Sequence, residues 1–156
     1  MKKASLLNDY LNRYAAGPPW KLQAGNLENI EQVVVIPAYA EKELLFATLA
    51  SVAANNDASL EKALILCVVN NKAAASLADK ENNAQTLAAL SALINKHPFS
   101  KLALADDLHV SLQKIADRPL RLGYIDASSD GMEIPPRLGG VGMARKIGMD
   151  MALRLF

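Results

Sequence analysis

The stretch QVVVIPAYAEKELLFATLASV, from Gln32 to Val52, decides the fold predicted for this chain. Four consecutive apolar residues, Val33–Ile36, predict a strand that is buried on both faces, and Pro37 is expected to end it. A polar turn over residues 38–42 then leads into residues at helical spacing, namely Leu44, Leu45, Thr48, Leu49 and Val52. A strand, a short loop and a helix in this order are typical of the first unit of an α/β sheet.

Two later apolar runs predict two more strands. The run Ala63–Val69 is almost wholly apolar, as a central parallel strand should be, and Leu120–Ile125 reads as a third strand. Helical patterns lie between the strands, so the fold class is α/β: a three-layer, Rossmann-like fold with a central, mostly parallel sheet. Three strands make an incomplete sheet. We therefore expect that a missing C-terminal half after Phe156, or a second copy in a homo-oligomer, completes it.

The chain is expected to form one α/β domain over residues 1–156. Residues 1–30 are predicted to be an amphipathic helix, at Ser5–Ala16, and a connector; residues 31–156 carry the sheet. Within the sheet region, residues 99–118 are predicted to be an insertion that holds a helix. Its cap would be Asp106 or Asp107, and its inner face would consist of Leu108, Leu112, Ile115 and Ala116.

The last helical pattern opens at Gly139–Gly142 and has an inner and an outer side. The inner side is predicted to carry Ala144, Ile147, Met151 and Leu155. On the outer side, Lys146, Asp150 and Arg154 follow each other at i, i+4 spacing with alternating charge.

Composition limits the class of protein. The 156 residues include 17 basic and 16 acidic side chains, a formal charge of +1, which lacks the basic excess typical of nucleic-acid binding. The one cysteine, Cys67, lies in an apolar run and is predicted to be a buried thiol in a reducing compartment. Polar residues interrupt the first helix, unlike a signal peptide, and no apolar run could span a bilayer. We expect a cytoplasmic protein with no nucleic-acid partner and no transmembrane segment, and leave peripheral membrane attachment open.

Three loops are expected at the carboxyl edge of the sheet, where ligands of α/β proteins bind. In the first, Pro37–Glu41, the backbone around Ala38 could contact a base edge, Tyr39 could lie against a flat ring, and Glu41 could accept from hydroxyl groups. An ordinary strand-to-helix turn explains the same residues equally well.

The second loop begins at Asn70 and Asn71, whose side-chain amides suit a pyrimidine ring because they both donate and accept hydrogen bonds. A plain turn is the alternative. In the third loop, the glycines around Gly140 would let a backbone approach a phosphate, and Arg145 could add a charged contact at the start of a helix. The alternative there is a flexible loop that enters a packed helix.

A fourth polar segment follows the third strand. Residues 126–131 superficially resemble the start of a calcium-binding loop, but Arg137 stands where a bidentate glutamate is required, so this kind of site is rejected. Asp126, at the end of the strand, remains a candidate ligand-binding residue.

Taken together, these segments resemble the inverting glycosyltransferases of family 2, which have the GT-A fold. The family motif Pro-x-Tyr-Asn-Glu is similar to Pro37-Ala38-Tyr39-Ala40-Glu41, and its acidic pair after the second strand corresponds to Asn70-Asn71. The family motif Gly-x-x-x-Ala-Arg-Asn-x-Gly is similar to residues 140–148, with Lys146 in place of asparagine.

This resemblance implies that the chain is the N-terminal, nucleotide-binding portion of a transferase. The donor, a nucleotide-diphosphate sugar, would contact residues 38–41 and the Asn70-Asn71 pair through its nucleoside, and Arg145 would lie near its diphosphate. A divalent metal, Mn or Mg, would be held by an Asp-x-Asp segment of the full-length parent, and this chain would hold no cofactor. The chain alone would not catalyse transfer. The alternative is a non-catalytic nucleotide-binding or regulatory module.

Overall fold

The computed structural model describes residues 2–72 and 74–156, with side chains described from Leu6 onward. The helices are α1 (Lys2–Arg13), α2 (Lys42–Ala53), α3 (Asp57–Leu60), α4 (Leu77–Asn95), α5 (Asp106–Ala116) and α6 (Val141–Leu153). The strands are β1 (Leu22–Ala24), β2 (Gln32–Ala38), β3 (Ala63–Asn70) and β4 (Arg121–Ala127).

The four strands form one mixed sheet in the order β1-β4-β3-β2. β2, β3 and β4 are parallel, with Cys67 of β3 in register with Ile36 on one side and Tyr124 on the other. β1 is antiparallel to β4. The predicted α/β class and mostly parallel sheet are therefore confirmed, and the architecture is compatible with a Rossmann-like fold. The sequence interpretation missed β1, within the predicted connector, because three residues are too few to show a strand pattern.

Strand β2 lies at the edge of the sheet and is partly exposed, which corrects the prediction that it is buried on both faces. β2 pairs with β3 alone among the described strands, and Val34 is 47% exposed. The strand also continues through Pro37 to Ala38 rather than ending at the proline. An edge strand tolerates the proline because one of its sides pairs with no other strand, so a missing N–H on that side costs no ladder hydrogen bond.

Helices cover both faces of the sheet. On one face, α2, α4 and α5 pack against alternate residues of β3, which is buried along almost its whole length. On the other face, α6 packs Ala144 and Ile147 against Leu66 and Val68. The carboxyl ends of β2 and β3 and the start of α6 consequently lie along one edge of the fold.

The predicted inner face of α5 is confirmed for Leu108, Leu112 and Ile115, which are buried, and is wrong for Ala116, which is exposed at the end of the helix. Its predicted cap is wrong. The helix begins at Asp106 after Ala105, so both aspartates lie inside the first turn and neither is the N-cap residue, although Asp107 Oδ1 accepts from the Leu108 N–H at 2.9 Å. α5 packs closely on α2 and contributes to the core of this face.

Asp150 of α6 is buried, which corrects its predicted place on the outer side of the helix. Only 1% of the residue is exposed, and its carboxylate accepts hydrogen bonds from the Tyr10 hydroxyl, the Ala16 N–H and Lys146 Nζ, each 2.7 Å long. Burial would raise the pKa of Asp150, but these donors outweigh it and hold the pKa below its ordinary value. The carboxylate therefore joins the N-terminal helix region to α6.

Among the described residues, no helix combines the length and the apolar character that crossing a membrane requires.

Candidate functional site

A cavity of about 360 Å³ opens at the carboxyl edge of the sheet, between the ends of β2 and β3 and the start of α6. Its size lies near the lower end of the range for small-molecule sites. Six of the nine residues predicted from the sequence line it: Pro37, Tyr39, Glu41, Asn70, Asn71 and Gly140. Lys72 and Val141 complete the lining.

The loop after β2 is held in shape by helix α4. Ala40 has a φ of 50°, a left-handed conformation that costs a residue with a side chain roughly 1–2 kcal/mol. Its N–H donates to Asn83 Oδ1 at 2.9 Å, and the N–H of Lys42 donates to Asn82 Oδ1 at 3.1 Å. These two bonds stabilise the turn that presents Tyr39 and Glu41 to the cavity.

Asn70 joins the two strand ends rather than offering a free amide. Its Nδ2 donates to the carbonyl oxygen of Ala38 at 2.9 Å, and its own carbonyl oxygen accepts from Asn83 Nδ2 at 3.0 Å. Because Asn83 also holds Ala40, one buried side chain links the first loop to the second.

Asn71 has a buried acceptor without a partner. The residue is 1% exposed and lines the cavity; its Nδ2 donates to the Ser128 carbonyl oxygen at 3.3 Å. Its Oδ1 is the buried side-chain oxygen that has no hydrogen-bond partner within the described part of the chain. Such an atom costs about 1–3 kcal/mol, and a ligand N–H or O–H would remove that cost.

Helix α6 brings a positive end to the cavity. Its N-cap is Gly140, whose φ of 122° and ψ of 170° are accessible essentially to glycine alone, and no side chain caps the helix. Uncapped N–H groups and the helix dipole favour an anion at this place. The Lys72 side chain passes close by: a Cβ on Gly139 would lie 3.5 Å from Lys72 Cε.

Tyr39 and Glu41 form the wall on the β2 side. Tyr39 is 37% exposed, and its hydroxyl donates to Asp79 Oδ2 at 3.1 Å. Partial desolvation, and then the hydrogen bond and charge of Asp79, raise the pKa of Tyr39. The ring is thereby anchored at its far end and offers an apolar face. Glu41 precedes α2 without capping it, so its carboxylate is free to accept from a ligand.

Three of the predicted residues do not line the cavity. Ala38 is buried in the core and contributes only its carbonyl oxygen, to Asn70. Asp126 Oδ1 accepts from the N–H groups of Ser128 and Ser129, so it shapes its own turn. Arg145 lies exposed on α6, one turn beyond the helix start.

The sequence interpretation missed Lys72, Asn82 and Asn83. Lys72 directly follows the Asn70-Asn71 pair. It belongs to the second loop, which was already predicted to lie at the site, so it could have been predicted as a site residue too. Asn82 and Asn83 fall within a helical pattern, where asparagine is a poor choice on propensity alone. That mismatch was the available signal that these side chains act on the backbone of another element.

The lining residues do not fit a divalent metal. Mg and Mn prefer several oxygen ligands, carboxylates foremost, and Glu41 is the one carboxylate among the lining residues. Lys72 lines the same space, and its positive charge would repel a cation. In residues 2–72 and 74–156, no group of three or more histidine, cysteine, aspartate or glutamate side chains could hold an ion.

Comparison with known proteins gave no match: no protein family, no curated protein and no solved structure is detectably similar to the chain.

Proposed function

We propose that the cavity binds a nucleotide diphosphate, and that the chain is the donor-binding portion of a glycosyltransferase similar to family 2. One observation carries the proposal: six residues chosen from three separate stretches of sequence line one cavity, and the lining includes a positive helix end and Asn71, a residue whose buried side-chain acceptor has no partner in the described part of the chain. A ligand that satisfies both must carry an anion and a hydrogen-bond donor, as a nucleotide does.

Each part of the ligand has a matching group in this proposal. The base lies against the Tyr39 ring and donates an N–H to Asn71 Oδ1, and a ribose hydroxyl donates to Glu41. The phosphates face Gly140 and the first turn of α6. Tyr39 is suited to its role because Asp79 holds its hydroxyl, so little rotational freedom is lost on binding.

We assign no catalytic residue to this chain. In glycosyl transfer by inversion a carboxylate deprotonates the acceptor hydroxyl, and the leaving diphosphate must be stabilised. By the resemblance, the catalytic carboxylate and the metal-binding Asp-x-Asp segment belong to a longer parent protein.

Isothermal titration calorimetry with uridine and guanosine diphosphates tests the binding. We expect saturable binding of one of them, at one site per chain. Tyr39→Ala should weaken it about tenfold, since stacking of a base on an aromatic ring is worth roughly 1–3 kcal/mol. Tyr14→Ala is the matched control, because Tyr14 is an exposed tyrosine on the N-terminal segment, away from the cavity. Absence of binding to either nucleotide by the wild-type chain would refute the proposal.

A second candidate, a nucleotide-binding module without catalysis, is favoured by the single carboxylate among the lining residues. The two are separated by calorimetric titration of the chain with uridine diphosphate glucose and guanosine diphosphate mannose beside the free diphosphates. A donor-binding portion should bind one sugar nucleotide at least as tightly as the corresponding free diphosphate, whereas a module that recognises the nucleotide alone should lose affinity when the sugar is attached.

A further inference from the structure

The proposed function leaves open how the diphosphate is neutralised, and the residues at the cavity favour an answer that does not involve a metal. We propose that Lys72 and the first turn of α6 bind the diphosphate directly, without a divalent cation. The inference rests on the proposed nucleotide-binding function, and it assigns to Lys72 a role that the resemblance does not suggest.

The first argument is the position of Lys72. It immediately follows Asn71 beyond the end of β3, and an isolated parallel bridge to Ile134 fixes its backbone. Its side chain runs past Gly139 toward the loop that opens α6. The ammonium group and the uncapped helix start therefore lie on the same side of the cavity.

The second argument is that Lys72 forms no ion pair within the described part of the chain. The ion pairs found there use other lysines and arginines. A cation that is exposed and unpaired beside a helix N terminus can neutralise a phosphate without first breaking an interaction within the protein.

The third argument is independent of charge. Asn71, next to Lys72, keeps a buried acceptor without a partner in a residue that lines the same cavity. A site for an inorganic ion alone would not need this acceptor. A ligand with a donor at one end and an anion at the other would use the Asn71 acceptor, Lys72 and the helix end together.

Two glycines, Gly139 and Gly140, leave room for a phosphate to approach the backbone. At Gly140 the positive φ strongly favours glycine, and at Gly139 a Cβ would lie 3.3 Å from the Pro136 carbonyl oxygen, which is a tight contact, and 3.5 Å from Lys72 Cε, which is an ordinary one. Both positions keep the backbone bare between Lys72 and the helix start, as backbone contact with a phosphate requires.

The test is calorimetric titration of the whole chain in the presence of EDTA, with uridine diphosphate, guanosine diphosphate and pyrophosphate as probes. We expect the wild-type chain to bind pyrophosphate and one nucleotide under these conditions. Lys72→Gln should weaken both about tenfold or more, the usual loss for a hydrogen bond to a charged group, and Lys72→Arg should restore most of the affinity.

Lys62→Gln is the matched control. Lys62 lies just before β3, whereas Lys72 lies beyond the end of the same strand. Lys62 pairs with Glu31 at 2.8 Å, at the opposite edge of the sheet from the cavity. This substitution should leave binding of every probe unchanged. Circular dichroism of the Lys72 variants checks that the substitution has not altered the fold. If Lys72→Gln misfolds, the Lys72→Arg variant, which keeps the positive charge, still tests whether a cation at this position binds the diphosphate.

The outcomes separate the inference from the proposed function. Nucleotide binding that requires Mn²⁺, or that is equal in wild type and Lys72→Gln, would overturn the inference and leave the function intact. Pyrophosphate binding that depends on Lys72, without binding of either nucleotide, would support the anion site and refute the nucleotide. If none of the probes binds, both proposals fail.

Discussion

The side chain of Asn83, on helix α4, donates a hydrogen bond of 3.0 Å to the carbonyl oxygen of Asn70, at the end of β3. The same side chain accepts from the Ala40 N–H at 2.9 Å. Asn83 is 98% buried; its bond to Asn70 is buried and its bond to Ala40 is partly buried. One amide thus sets the distance between the two loops from which most of the cavity is built.

Asn83→Ala should destabilise the fold and weaken nucleotide binding together. It leaves a buried carbonyl oxygen, that of Asn70, and a partly buried N–H, that of Ala40, without their partner; a fully buried orphan of this kind costs about 1–3 kcal/mol. We expect a loss of roughly 2–4 kcal/mol in the free energy of unfolding, measured by urea denaturation, and a loss of affinity in calorimetry.

Asn95→Ala is the control for this change, because Asn95 ends the same helix and bonds only to Ser91 in an exposed position. It should alter the free energy of unfolding by less than about 0.5 kcal/mol. Equal effects of the two substitutions would show that Asn83 does not link the loops.

Cys67 should be unreactive in the folded chain. It is fully buried in the central strand, and burial raises the pKa of its thiol to about 12. Since the thiolate is the reactive form, iodoacetamide at pH 8 should modify the native protein only through unfolding, and the unfolded protein within minutes. Mass spectrometry of samples with and without urea measures this. Rapid modification of the native protein would contradict a buried place for the thiol.

The parallel part of the fold was predictable because three long apolar runs alternate with helical patterns. β3 was read as central, and it is. The edge position of β2 was not readable, since four apolar residues in a row do not say how many neighbouring strands there are. Here α6 packs against Val33 and Val35 on one face, and Val34, on the other face, is 47% exposed. β1 has only three residues, fewer than any periodic pattern needs.

The candidate site was predictable in part, for a topological reason. The carboxyl ends of parallel strands meet at one edge, so the loops after β2 and β3 had to be neighbours. Individual side chains were harder to place. Asp126 accepts hydrogen bonds from the backbone of its own turn. Arg145 lies on the exposed side of α6, and which side of a helix a residue occupies depends on the residue at which the helix begins. Local hydrogen bonds and helix phase are both set by tertiary packing, which a motif does not contain.

Asp150→Asn should destabilise the chain at pH 7 by on the order of 3 kcal/mol, because it removes a buried charge and leaves Lys146 with a weaker partner. The pKa of Asp150 is lowered in the folded state, so its contribution is present above the unfolded pKa of about 3.9 and is lost as the pH falls through the folded value. The difference in unfolding free energy between wild type and variant should therefore shrink as the pH falls below about 4.

Asp9→Asn is the control for the pH experiment. Asp9 pairs with Arg13 on the exposed side of α1, and an exposed pair of this kind contributes little to stability. Urea denaturation between pH 2.5 and pH 7 gives both differences. A pH-independent difference for Asp150→Asn would show that packing, rather than the ionised carboxylate, determines its effect.

Two glycines of α6 should respond in opposite ways to alanine, because only one of them touches the sheet. At Gly148 a Cβ would overlap Val35 and lie 2.9 Å from Val68 Cγ2, so Gly148→Ala must push α6 away from β2 and β3. Overpacking of this kind costs about 1–3 kcal/mol. At Gly142 a Cβ meets nothing within 4 Å, so Gly142→Ala should be neutral or stabilise the helix by up to about 1 kcal/mol. Thermal and urea denaturation measure both; a Gly148→Ala protein as stable as wild type would mean that α6 does not pack against β2 at this distance.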